Sequence, residues 1–482
     1  MIELPVNPVH VILALPFLAG LVLAAVADHK LASRLNSLAS GLTLVASLSL
    51  FADRPESTAL FLVDDFNIYL VALTAFVGFT TALFSATYIE YEIGTGRLSP
   101  LFVRFYHAMY QAFVFTMLLA LLANNLGVLW VAVEGATLTT VLMVSLYRTP
   151  EAIEAAWKYF ILCGVGIALA LFGTILIFLA ARPVMGGGMP AMTWSALMLE
   201  IHRVSPDLLN LAFVFILIGY GTKVGLAPLH AWLPDAHAEG PTPISAVLSG
   251  LLLNVALYAV LRFKMLMTAN GQSLAPGPLM MVMGLASLLL AAFMLYRRRD
   301  IKRLFAYSSI EHMGIITFAF GFGGPIANFA GLLHMTMHSL TKSAIFVAVG
   351  LATQVKGTQQ ISEIRGLTAS HPVIGWGLVA GVLAIAGLPP FGIFLSEFLL
   401  VTTVFAQEPF LALPLVAGIV VAFGALILRL QSLAFGEPTG STAPAASSAF
   451  PMALHLVLVL VAGVWLPEPL VEWFQAVARL LG

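Results

Sequence analysis

Charge is scarce in this sequence. Asp, Glu, Lys and Arg make up 9% of its 482 residues, against about 25% in a soluble globular chain, so a water-solvated fold is excluded. Cysteine is almost absent. Cys163 stands alone in YFILCGVGIALALFG, which rules out a disulfide framework or a thiolate metal cluster and leaves a small packing residue. No phosphate-binding Gly-rich loop, dinucleotide fingerprint, CxxC pair or haem motif occurs, so neither ATP drive nor a redox cofactor is expected. A net charge of −1 argues against nucleic acid as a partner. The first apolar run lacks the basic flank and small-residue cleavage site of a signal peptide, and reads as a membrane helix.

What the chain has is apolar length, 60% of its residues being hydrophobic. Runs of about 20 residues, enough to cross a bilayer, lie near 9–27, 31–51, 66–87, 104–123, 125–147, 158–180, 208–228, 244–266, 277–296, 304–322, 326–352, 373–403, 410–433 and 449–466. The expectation is an all-α polytopic membrane protein of about 14 transmembrane helices in one domain, 1–482. The tail EPLVEWFQAVARLL reads as an amphipathic helix on the membrane surface, after the small-residue linker GEPTGSTAPAASSAFP. Basic residues favour one side by fourteen to six, with Arg262 and Lys264 counted in the poorer loops. Under the positive-inside rule this puts both termini outside a cell inner (plasma) membrane. The two remaining basic residues, Lys223 and Lys342, fall inside spans.

Two spans are broken by proline. Span seven carries Lys223 and Pro228; span twelve, GLPPFGIFLSEF, carries Pro389, Pro390 and Glu397. They stand five spans apart, and an odd offset gives two five-helix units of opposite topology. The units would cover about 104–266 and 277–433, flanked by 9–87 and 449–466.

Ionisable residues inside a bilayer cost about 3 kcal/mol or more and mark ion pathways. Glu134 of span five and Lys223 form one candidate pair. Burial favours the neutral form of each and pairing the charged forms, so separation could release a proton. In span eleven, His334, His338 and Lys342 follow at intervals of four on one helix face, which suits a proton wire. A metal is not expected there, because HMTMH lacks the Glu of HExxH and no third ligand stands nearby in the chain. His312 of span ten is a further relay candidate, whereas its neighbour Glu311 reads best as a residue close to the basic loop RRRDIKR. Glu397 is the candidate exit group, with an ion pair to Lys342 as the structural alternative. His230, Asp235 and His237, after the break in span seven, mark a proton inlet or merely shape a turn-rich loop. Lys158 is a further inlet or linking candidate.

The segment GTKVGLAPLHAWLPDAHAEGPTPISAVLSG resembles the signature of the antiporter-like membrane subunits. These are shared by respiratory complex I, membrane-bound group 4 nickel–iron hydrogenases and multisubunit Mrp sodium/proton antiporters. VAVEGATLTTVLMVSLYRTPEAIEAAWKYFIL, RRDIKRLFAYSSIEHMGII and AGLPPFGIFLSEF match in order and spacing, and VEGATLTTVLMVSLYRT and LLLNVALYAVLRFK are most similar to the hydrogenase-4 branch. The resemblance implies fourteen helices with two inverted repeats and partner subunits of a hydrogenase or complex I-like assembly. It also implies proton-pathway roles for Glu134, Lys223, His312, His338, Lys342 and Glu397. One departure is Asn254, where many complex I relatives carry lysine or histidine in helix eight. An amide stores no proton, so the link between halves would pass through water or His312.

Overall fold

The computed structural model describes residues 7–440 and 444–482, and these are helical nearly throughout. The helices are α1 (Pro8–Ala25), α2 (His29–Ser49), α3 (Asp65–Gly94), α4 (Pro100–Leu122), α5 (Leu126–Val144), α6 (Pro150–Met185), α7 (Trp194–Glu200) and α8 (Pro206–Val224). Next come α9 (Trp232–Glu239), α10 (Thr242–Val247), α11 (Leu253–Asn270), α12 (Pro276–Leu295), α13 (Ile301–Phe322) and α14 (Gly324–Lys356). The chain closes with α15 (Leu367–Ser370), α16 (Pro372–Ile385), α17 (Gly392–Gln407), α18 (Pro409–Ala434), α19 (Phe450–Val464) and α20 (Glu468–Leu480). Their starts are legible: the side chains of Asp28, Asp64, Asn125, Thr149 and Asp300 each accept from a backbone amide of the first turn. Their ends often fall on a glycine at positive φ, such as Gly186, Gly225, Gly271 and Gly357.

Each expected span has a helical counterpart, but only ten helices among the described residues are long and apolar enough to cross a membrane, or eleven if bent α19–α20 counts as one. α2 shows why. Its buried face is Ser33, Asn36, Ser40, Thr43 and Ser47, and its exposed face Leu31, Leu38, Leu42, Val45 and Leu48. Facing lipid, the apolar side belongs outward, so polar residues on the inner face lower the helix's average without barring it from the bilayer. α13 is polar for the same reason, while α16 and α17 are apolar but short, 14 and 16 residues long on either side of a break.

The two breaks share three of their four residues. Gly225–Leu226–Ala227–Pro228 and Gly387–Leu388–Pro389–Pro390 each combine a glycine at positive φ, +82° and +69°, with a cis bond to the last proline. The amide of Leu226 bonds Gly221 O (2.9 Å) and that of Leu388 bonds Leu383 O (3.1 Å), the same five-residue reach. Freed groups are met from neighbouring helices: Ser287 Oγ accepts from the Ala227 amide (2.8 Å), and Trp232 Nε1 donates to Thr222 O (2.8 Å). Between the breaks, a π-helical stretch, Leu248–Leu252, joins α10 to α11. The Thr242–Asn270 segment is enclosed except at Thr268 and Ala269 near its end, and α14 is nearly so; α1, α6, α12 and α18 form the rim.

α20, bent 81° from α19, is amphipathic as expected and docks by its apolar face: Phe474 packs on Tyr69 and Phe329, and Trp473 Nε1 donates to Asp65 O (3.0 Å). Of the linker 436–451, residues 441–443 lie outside the described residues. One expectation needs correction. Arg262 and Lys264 are not loop residues, because α11 runs on to Asn270 and buries both. Arg262 grips Asp64 with both terminal nitrogens (2.7 and 2.8 Å) and donates from Nε to Tyr258 (2.9 Å). Its guanidinium lies over Trp194, 4.6 Å from the ring centre.

Burial alone would raise the Asp64 carboxyl, but the Arg262 charge and its paired N–H donors outweigh this and hold it below its usual value. A carboxyl depressed in the folded state contributes stability above the ordinary Asp range, lost as pH falls through the folded value. Asp64→Asn is therefore expected to cost about 2–3 kcal/mol, below the full buried-pair figure because Asp64 is partly solvated. Thermal unfolding in detergent should show a lower Tm at neutral pH, with the gap to the unmodified protein closing in acid.

Candidate functional site

In the first half, Lys223 is the second-last residue of α8 and Glu134 lies midway along α5. Their Nζ and Oε2 are 3.7 Å apart, an ion pair just beyond hydrogen-bond reach, with Lys223 fully buried and the Glu134 side chain 20% exposed. Lys223 sits 5.8 Å over the Tyr159 ring, which stacks on Trp232 at 4.5 Å and whose hydroxyl is held by Thr140 at 2.7 Å. Position in the last turn of α8 suits a cation, since carbonyl oxygens gather there.

In the second half, α13, α14 and α17 converge. His312 Nδ1 lies 2.9 Å from His334 Nε2, and His334 Nδ1 lies 3.0 Å from Ser396 Oγ. The His338 ring is 5.6 Å from that of His312, and both its nitrogens lack a protein partner among the described residues. Glu397 joins from α17, buried beside the break. A Cβ on Gly387 would overlap its carboxylate, so the glycine at +69° makes room for the acid. Lys342 turns its ammonium to Phe305 O (3.0 Å). It makes no ion pair with Glu397, and the structural alternative for that pair falls away.

Between the halves stands Asn254. Its Nδ2 donates to Ser339 Oγ (2.7 Å), and Ser339 donates to Gly250 O (2.6 Å) in the π-helical stretch. Ser249 and Ser309 hydroxyls meet at 2.7 Å one turn earlier. The amide thus touches α14 beside His338, so the departure at this position still joins the two halves by hydrogen bonds.

One residue sits otherwise than expected. Glu311 is not beside the basic loop: three turns into α13, 3% exposed, it places Oε2 3.6 Å from His312 Nε2. Lys158 is half exposed and pairs with Glu154 (2.7 Å) and Asp235 (3.3 Å), outside the buried array but beside a fellow inlet candidate. Of the two span-eleven histidines only His334 gathers further ligand-type groups, and they come from two other helices. Ligand atoms of His312, His334 and Glu397 all lie within 4.8 Å of one another.

At one end of the bundle, Asp235 also meets Arg303, which reaches Glu239 (3.3 Å). Desolvation raises the Glu239 carboxyl and the Arg303 charge partly offsets it. His230 is partly buried with its ring 6.3 Å from Tyr307, while His237 is fully buried, stacked on Phe346 at 4.9 Å, with both nitrogens unpaired among the described residues. Sequence reasoning missed Lys302, which is buried and donates to Gly240 O (2.8 Å) at the end of α9. It also missed Glu92, fully buried under Tyr147 (3.0 Å) and Arg97 (3.5 Å). Both adjoin loops in the sequence, where charge attracts no notice.

A helical membrane bundle with two matched breaks and ionisable side chains along its enclosed helices defines an antiporter-like membrane subunit. The comparisons agree. The sequence profile described as "NADH:quinone oxidoreductase/Mrp antiporter, TM" matches residues 123–423, and the chain belongs to this family. It is 60% identical over 470 residues to "Hydrogenase-4 component F homolog" of Methylacidiphilum infernorum (isolate V4), covering 98% of this chain and 99% of the relative. A chain of the archaeal membrane-bound sulfane sulfur reductase superposes with a TM-score of 0.87 at 21% identity, over 98% of this chain and 97% of that one. A chain of respiratory complex I from Thermus thermophilus gives 0.81 at 24%, over 99% and 100%.

Gly387→Ala is expected to strain the left-handed backbone by about 1–2 kcal/mol and to expel the Glu397 carboxylate from its seat. Gly271 has a similar φ with nothing within 4 Å of its added Cβ. Gly271→Ala should therefore lose comparable stability by thermal unfolding yet leave ion flux unchanged, whereas Gly387→Ala should lower both.

Proposed function

We propose that this chain is a proton-translocating subunit of a multisubunit membrane oxidoreductase of the hydrogenase-4 type, working without a redox centre of its own. The observation that carries it is a set of ionisable groups across the enclosed middle of the bundle. The set runs from Glu134 and Lys223 past Asn254 to Lys342, His338, His312, His334 and Glu397. Lipid tails cannot solvate such charges, and so many costly residues are poorly explained by packing alone. The name of the 60% identical relative supports the hydrogenase-4 assignment.

In this reading, electron transfer in partner subunits changes the field at the 3.7 Å Glu134–Lys223 pair. Closing the pair favours the charged forms; opening it returns a proton. Asn254 and Ser339 order water between the halves, and the three histidines pass the charge to Glu397. His230, Asp235 and His237 line the inlet. We further infer fourteen spans, with inverted units about 104–266 and 277–433 and flanks 9–87 and 449–466; the matching breaks support the repeat. Both termini face outward from a cell inner membrane, with RRRDIKR inside.

Two measurements test this. Lys223→Ala and Glu134→Ala should each abolish proton flux in vesicles carrying the assembled complex, and the double variant should be no worse than either single. Strictly additive losses would mean the pair does not act as a unit. Reporter fusions at Arg299 should give a cytoplasmic signal, and a periplasmic one overturns the orientation.

A further inference from the structure

Ser396 Oγ lies 2.8 Å from Ile393 O and 3.0 Å from His334 Nδ1. A hydroxyl has one proton and the carbonyl can only accept, so Ser396 donates to Ile393 and receives the N–H of His334 Nδ1. His334 therefore turns a bare Nε2 towards His312. The 2.9 Å contact requires a proton on His312 Nδ1, leaving His312 Nε2 bare at 3.6 Å from Glu311 Oε2. Neither of those last two atoms makes a hydrogen bond of ordinary geometry among the described residues, although the Ile385 carbonyl approaches His312 and the Ser308 hydroxyl approaches Glu311. Glu397 supplies a carboxylate oxygen within 4.8 Å of both facing imidazole nitrogens.

We propose that His312, His334 and Glu397 form an inhibitory site for a zinc-like divalent cation, which replaces the proton shared by the two histidines. The ion bonds to His312 Nδ1, His334 Nε2 and the Glu397 carboxylate. The displaced proton moves to His312 Nε2, where it is donated to Glu311, and any proton held by Glu397 leaves to water. Zinc bonds of 2.0–2.1 Å set at tetrahedral angles separate two nitrogens by roughly 3.3 Å, so the 2.9 Å contact opens by only a few tenths of an ångström. Three protein ligands leave a fourth position for water.

Each imidazole then has a partner on its other nitrogen, Glu311 for His312 and Ser396 for His334, as metal-bound histidines require. Two imidazoles with one carboxylate suit zinc, whereas magnesium, calcium and sodium want oxygen. A filled site removes both lone pairs from the step between α13 and α14. Binding rests on geometry alone; inhibition rests on the proton route proposed above.

The test uses the purified complex and Zn²⁺ alone, with Mg²⁺ as control. Calorimetric titration should show one Zn²⁺ bound per copy of this chain. Binding should be lost in His334→Gln and in Glu397→Gln, weakened about tenfold in Ser396→Ala, and unchanged in Cys163→Ala. Co²⁺ substitution should give a tetrahedral absorption spectrum that disappears in the same variants, reporting the site independently of flux. Assembly of each variant is checked by size-exclusion chromatography. Zn²⁺ binding that persists in both ligand variants, or no stoichiometric binding, overturns the site. Binding lost in the variants while Zn²⁺ leaves proton flux untouched upholds the site, refutes inhibition, and moves the proton route away from these histidines.

Discussion

The constraint on which this structure turns is that a bilayer core offers no water to a charge or to a broken hydrogen bond. Ten or eleven helices of the described chain are apolar enough to cross it, and α1, α6, α12 and α18 turn most of their apolar surface outward at the rim. Residues that lipid would reject gather on the enclosed segments. Thr242–Asn270 and Gly324–Lys356 hold Asn254, Arg262, Lys264, His334, His338 and Lys342.

Broken helices follow from the same constraint. An unwound stretch frees amides and carbonyls that must be met from within, and here Ser287 and Trp232 meet them. In exchange, the break gives positions no continuous helix offers. Lys223 sits where the last carbonyls of α8 converge, and Glu397 turns back against the bare backbone of Gly387.

Satisfaction is deliberately incomplete between α13 and α14. His338, Ser308, Thr341 and Ser343 all carry buried polar atoms without a protein partner among the described residues. A fully paired network would lock its protons in place, whereas groups with capacity to spare can take water and exchange partners. The contrast with Arg262 is instructive. Gripped by Asp64, Tyr258 and the face of Trp194, it is held on three of its nitrogens and one ring face, as an anchor is.

The sequence by itself determined the solvent, the helical class, both breaks and most of the buried ionisable residues. Each of those depends on local facts: the length of an apolar run, a proline within it, or one charge where none belongs. The shared Gly-Leu-x-Pro of the breaks was readable too, at 225–228 and 387–390. Only tertiary structure decided how those residues meet. Depth along a helix moved Glu311 from the basic loop to the side of His312, and α11's extra turns carried Arg262 and Lys264 into the interior. Side-chain reach took Lys158 out to a surface network. The gathering of His312, His334 and Glu397 from three helices had no trace in their spacing, because contact across helices is set by packing and not by distance along the chain.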